Sequence, residues 1–216
     1  MKHIIDINTW SRRDNYLFYQ GALNAWVCIT SEVDCTEAFE ESKREGTSFF
    51  VRYLYAILRA ANEIDEYRYR KDIEDRVCYY DKIDVITPIA IPGRTFYTVR
   101  IPYEKDYQTF YRQAREIIDS VPQDGDPYFT DKQVVEQGDF DVINLSATPG
   151  LYFTSVVYPQ VSAGCGQNFP LMNAGKAIKR GDRRIMPVSI TVSHEFVDGS
   201  HNARFFELVH KYLVSF

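Results

Sequence analysis

Apolar positions fall into two rhythms along this chain, and each predicts its own kind of element. In residues 49–64, Phe50, Leu54, Ile57, Leu58, Ala61 and Ile64 recur at spacings of three and four, which predicts one long amphipathic helix. Residues 104–119 repeat that rhythm with Tyr107, Phe110, Tyr111, Ala114, Ile117 and Ile118. Residues 35–46 read as a helix capped by Thr36 and stopped at Gly46. Residues 11–20 read as a short polar-aromatic helix, and 200–213 return to helical spacing. The second rhythm is alternation. Over residues 183–194, Val188, Ile190, Val192 and His194 share one face of a strand, and Ser189, Thr191 and Ser193 share the other. Residues 22–34, 74–81, 94–101, 142–148 and 151–161 predict further strands, and the glycine-bearing segment 162–176 reads as a loop. Strands and helices are mixed, and long parallel crossovers do not dominate. The pattern predicts one domain over residues 1–216, of α+β class, with a mixed sheet.

Composition narrows the function more than the fold. The 216 residues suffice for a core without covalent staples. A net charge of −5 gives no reason to expect nucleic-acid binding, and the short basic run KAIKRGDRR reads as a solvated turn. Cys28, Cys35, Cys78 and Cys165 lack CxxC or zinc-like spacing and read as reduced thiols of a cytoplasmic protein. The N-terminal residues do not resemble a signal peptide, and no apolar run approaches the ~20 residues of a membrane span. Histidines 3, 194, 201 and 210 form no ligand pattern, so no metal is expected. The 16 Tyr and 14 Phe suit strands and the lining of a small-molecule pocket.

The stretch VSHEFVDG carries the candidate chemistry. Parity places His194 on the apolar face of its strand, where a histidine can be an ordinary core residue. The strand ends there, however, so the ring can face a cleft. Asp198 follows within one turn, and Gly199 permits a tight backbone path. A neutral imidazole has one donor and one acceptor nitrogen. With its N–H held, the other nitrogen can take a proton from a hydroxyl near neutral pH. Asp198 can orient the ring directly or hold the loop by pairing with an arginine. The residues alone do not choose between these.

HEFVDG fits the HxxxDG motif of the chloramphenicol acetyltransferase group, which dihydrolipoyl acyltransferases and peptide-synthetase condensation domains share. The rest of the chain narrows the resemblance. WSRRDNYLFY resembles the family's N-terminal segment, RAANEIDEYRYR the segment after its first long helix, and YYDKIDVITPIAIPGRTFYTV its next two strands. NLSATPG is similar to its SAxPW turn, and DRRIMPVSITVSHEFVDGSHNARF to its last strand and helix.

The resemblance implies a two-layer α/β sandwich assembled as a homotrimer, with active sites between subunits. It implies acetyl transfer from acetyl-CoA to a hydroxyl of chloramphenicol or, as the alternative, of a different small hydroxylated acceptor. By position, His194 would be the general base, Ser146 the donor to the oxyanion, and Arg12 the partner of Asp198. Phe18, Tyr19 and Phe96 match aromatic positions of the acceptor pocket, and Lys176 matches a lysine near the coenzyme. There are departures. Asn173 stands where the family has a Thr that helps hold a transition-state water, Ser48 where a lysine is expected, Gly150 where a Trp follows the SAxP turn, and Ser193 where a first histidine is common.

Three other readings remain at this stage. A dihydrolipoyl acyltransferase would share the motif, but this chain carries neither its lipoyl domain nor its linker. A hydrolase triad of Ser146, His194 and Asp198 would lack the GxSxG elbow of the commonest such fold. A trimeric binding module without catalysis would fit Asn173 and Ser48.

Overall fold

A computed structural model describes residues 1–22, 25–158 and 169–214, so Cys165 lies outside the described residues. Helix α1 (Arg13–Gln20) precedes strand β2 (Trp26–Asp34), and a small strand β1 (Lys2–Ile4) precedes both. Helices α2 (Thr36–Glu45) and α3 (Phe49–Asn62) follow, then strands β3 (Tyr69–Lys71), β4 (Val77–Tyr80), β5 (Asp84–Ala90) and β6 (Phe96–Ile101). Next come α4 (Tyr107–Asp119), α5 (Phe129–Gln137) and β7 (Val142–Thr148). The chain ends with β8 (Leu171–Gly175), β9 (Ile178–Arg180), β10 (Arg183–Ser193) and α6 (Gly199–Val214).

The main sheet has the order β2-β10-β8-β7-β5-β6, with β9 paired to β10, and β1-β4-β3 form a smaller sheet. The main sheet is mixed: β7 runs parallel to β5 and β8, and its other pairings are antiparallel. One face carries the core. Val188, Ile190 and Val192 of β10, Met172 and Ala174 of β8, and Ile143 and Leu145 of β7 pack with Leu54, Ile57, Leu58 and Ala61 of α3 and with Phe205, Leu208 and Val209 of α6. The fold is the α+β sandwich that the periodicity predicts.

Three local expectations change. Thr36 does not cap α2; it is the first helical residue, and the Asp34 carboxylate accepts its N–H at 3.0 Å. Residues 151–158 form no strand, and Leu171–Gly175, read as loop, is a strand inside the sheet. The first segment lies over the sheet rather than in it: Val156 O accepts from Cys28 Sγ at 3.1 Å and from Ser189 Oγ at 3.3 Å. Gly175 permits that close approach, because a Cβ there would sit 2.6 Å from Pro187 and 2.7 Å from Phe153. Gly199, by contrast, opens α6 without a left-handed φ, and a Cβ on it would meet nothing within 4 Å.

Candidate active site

Strand β10 is paired on both sides, so the turn at its end is fixed at its root. The His194 N–H donates to Ala25 O at 2.7 Å. Its ring lies against Tyr19 of α1, with centroids 4.3 Å and planes 21° apart, and the side chain is 30% exposed. Phe18, at 75% exposure, meets Tyr19 edge-on. Apolar contact seats α1 here: buried Tyr16 stacks on Phe196, two residues past His194, and Trp10 packs on both.

Arg12, just before α1, grips Asp198 with two hydrogen bonds, 2.8 Å to Oδ2 and 3.0 Å to Oδ1. Asn15 Nδ2 adds a third to Oδ1 at 3.3 Å. The Arg12 guanidinium, against the smaller effect of burial, holds the Asp198 carboxyl below the usual carboxylate range. Asp198 Oδ1 also lies 3.5 Å from His194 Nδ1, a buried atom with no hydrogen-bond partner. Asp198 thus pairs with Arg12 and also faces the His194 ring, without a hydrogen bond to it. A carboxylate on that side favours the proton on Nδ1 and leaves Nε2 as the acceptor nitrogen.

Two further anchors of this turn were not singled out in the sequence. Glu195 is buried, with Oε1 2.8 Å from Lys71 Nζ and Oε2 3.0 Å from Ser193 Oγ. Lys71 also sits 5.4 Å from the Tyr16 ring centre. Burial pushes the Lys71 ammonium down, but the Glu195 hydrogen bond and charge outweigh it and raise the net pKa. The second anchor is His201, whose Nδ1 accepts the Asp198 N–H at 3.0 Å. The available signal was a charged residue between His194 and the apolar Phe196 and Val197, since a carboxylate there must find a partner.

Ser146 lies elsewhere on the sheet. It sits on β7, on the face turned away from α3 and α6, and its register partners run Ser146, Asn173, Ser189, Thr30 across β7, β8, β10 and β2. Its side chain has no hydrogen-bond partner among the described residues. Buried Asn173 donates to Tyr158 Oη and, at 3.1 Å, to Thr148 Oγ1, while the Thr148 hydroxyl lies 3.3 Å from Asn173 Oδ1. Two strand spacings and five residues of rise put the Ser146 and His194 backbones roughly 20 Å apart along the sheet. The chain thus brings His194, Asp198, Arg12 and Tyr19 together, and Ser146 with Asn173, as two separate groups.

Phe96 opens β6 at the far edge of the sheet and meets Tyr128 edge-on at 5.3 Å. Lys176 is exposed just past β8, with its backbone N–H donating to Leu151 O at 2.8 Å. Ser48 caps α3 by accepting from the Val51 N–H at 3.4 Å, and a Cβ on Gly150 would meet open space. In the basic run, Arg180 pairs with Glu32 and Arg184 with Glu40. Among the described residues, no group of three or more His, Cys, Asp or Glu side chains is placed to hold a metal ion.

The family described as chloramphenicol acetyltransferase matches residues 2–210. Chloramphenicol acetyltransferase 3 of Escherichia coli is 28% identical over 204 residues, covering 93% of this chain and 91% of that protein. The chloramphenicol acetyltransferase of Clostridium perfringens is 24% identical over 215 residues, covering 94% and 91%. A solved structure of a chloramphenicol acetyltransferase, 49% identical, superimposes with a TM-score of 0.94 over 99% of this chain and 100% of that one. A probable dihydrolipoamide acetyltransferase from Listeria monocytogenes shares the fold, with a TM-score of 0.61 at 14% identity over 97% and 94% of the two chains.

Proposed function

The chain belongs to the chloramphenicol acetyltransferase family, and from that membership we propose that it transfers acetyl from acetyl-CoA directly to a hydroxyl of chloramphenicol, with His194 as the base. The observation that carries the mechanism is the His194–Asp198–Arg12 arrangement: a ring with one nitrogen facing a carboxylate that is itself locked by two hydrogen bonds.

His194 Nε2 takes the proton of the acceptor hydroxyl as that oxygen attacks the thioester carbonyl. The imidazolium so formed is stabilised by Asp198 on its other side. Ser146 donates to the oxygen that becomes negative, and His194 returns its proton to the departing thiol. A preorganised donor of this kind is typically worth about 3–4 kcal/mol of barrier. Phe18, Tyr19 and Phe96 line the acceptor pocket, and Asn173 stands beside Ser146 in it. Lys176, exposed and with no ion-pair partner among the described residues, suits a coenzyme rich in phosphate.

Base and oxyanion donor must both reach one carbonyl within hydrogen-bond range. Separated by roughly 20 Å along one sheet, His194 and Ser146 of the same chain do not. Homotrimer assembly, with His194 of one copy facing Ser146 of the next, resolves this. The same separation argues against a hydrolase triad within one chain. The unpaired thiols of Cys28, Cys35 and Cys78 support a cytoplasmic setting.

The test is thiol release from acetyl-CoA with chloramphenicol, beside His194→Ala. Release that vanishes in a folded His194→Ala variant supports the reading, and near-wild-type turnover in it would sink the mechanism. One observation favours a second acceptor. The partly buried Asn173–Thr148–Tyr158 cluster puts three polar side chains near Ser146. A different small hydroxylated acceptor would be indicated by thiol release with that compound and none with chloramphenicol.

A further inference from the structure

We propose that His201 is a positioning residue for the acetyl transfer, holding Asp198 in its catalytic place by accepting that residue's backbone N–H; the proposal rests on the functional reading above. Asp198 is the residue from which α6 springs: the Asn202 N–H donates to Asp198 O at 3.1 Å, and the helix begins at Gly199. A residue at this position ordinarily turns its side chain back onto the first helical amides. Asp198 does not do so, because Oδ2 is taken by Arg12 and Oδ1 by Arg12 and Asn15. Its own N–H needs an acceptor as well. In the usual reciprocal arrangement, a Glu or Gln three residues on reaches back to that N–H. Here the residue three on is His201, and its Nδ1 accepts the Asp198 N–H at 3.0 Å.

Accepting at Nδ1 requires the neutral ring to carry its proton on Nε2. Nε2 faces Glu66 Oε1 at 3.5 Å, a carboxylate that favours this tautomer. His201 is thereby held from both sides, and it holds the backbone of Asp198. The consequence reaches the base through one distance. Asp198 Oδ1 is 3.5 Å from His194 Nδ1, so a small shift of the Asp198 backbone changes the field felt by the imidazolium. Arg12 constrains the carboxylate, and His201 constrains the main chain that bears it. His201 touches neither substrate in this account, so its loss should lower kcat and leave both KM values in place.

Three variants separate positioning from simple stability. His201→Ala removes the acceptor. His201→Gln supplies the side-chain oxygen that ordinarily makes this bond. His201→Leu fills the space without an acceptor. Turnover with acetyl-CoA and chloramphenicol should fall about tenfold in His201→Ala and His201→Leu, with KM for each substrate within about twofold, and should return in His201→Gln. Hydrogen exchange at the Asp198 amide should be slow in wild type and His201→Gln and fast in the other two. Wild-type kcat in His201→Ala overturns the proposal. So does an Asp198 amide equally protected in all four proteins. If wild type releases no thiol, the functional reading fails by itself, and amide exchange still decides the His201 bond.

Discussion

Arg12 and Asp198, 186 positions apart in the chain, meet through two hydrogen bonds, each guanidinium nitrogen to its own carboxylate oxygen. That pair ties the start of α1 to the start of α6, and His194 sits between them. Planar two-point geometry restricts direction as well as distance, which an ammonium could not do.

Asp198→Asn should therefore cost both rate and stability. Arg12 is 14% exposed, and its main partner would lose its charge. The expected loss is about 2 kcal/mol of unfolding free energy, between surface and fully buried ion pairs. Urea denaturation at pH 7 measures the first effect, and kcat of the folded protein should fall at least about tenfold. Arg12→Lys should recover only part of either.

Acid should dissolve the same contribution. Arg12 depresses the folded-state pKa of Asp198. The stability it supplies is thus fully present above the unfolded carboxyl value of about 4 and disappears as pH falls through the lower folded value. Wild type and Asp198→Asn should differ in stability at pH 6 and converge below pH 4. Parallel curves down to pH 2 would contradict the assignment.

Ser146→Ala should separate chemistry from folding. The Ser146 hydroxyl has no partner among the described residues, so its removal should leave thermal unfolding nearly unchanged. Loss of an oxyanion donor should lower kcat by about 10²-fold or more. A large rise in KM alone, with kcat intact, would assign Ser146 to binding.

Glu195 and Lys71 should show energetic coupling. Removing either leaves a charge in a site where the side chains are only 8% and 17% exposed. A double-mutant cycle with Glu195→Ala and Lys71→Ala should give a coupling of about 2 kcal/mol. Coupling near zero would mean that Ser193 on one side, and Asp75 and the Tyr16 ring on the other, satisfy the two groups separately.

The sequence made the helices legible because their apolar residues face one core, and α3 and α4 carry that pattern without interruption. The parity of β10 was equally readable. What escaped was decided by long-range contacts. Leu171–Gly175 looked like loop because Asn173 and Gly175 are poor strand formers, yet β7 and β10 supply hydrogen-bonding partners on both sides. Residues 151–158 looked like strand because they are rich in aromatics and Val, but Cys28, Ser189 and Asn173 bind them across the sheet instead. At the site, the motif located His194 and Asp198. It could not locate Glu195 or His201, which act through Lys71 on β3 and through the Asp198 main chain, partners that no spacing rule connects.

The distance between His194 and Ser146 on one sheet has a genetic corollary. If each reaction centre borrows its two halves from different copies, a defect in one half leaves the other half of the same polypeptide sound. Two dead alleles, one lacking His194 and one lacking Ser146, would then complement when expressed together. In randomly mixed assemblies of equal dose, about a quarter of the interfaces would unite an intact histidine with an intact serine. Activity reborn from two inactive parents would show that the unit of catalysis is the junction between chains.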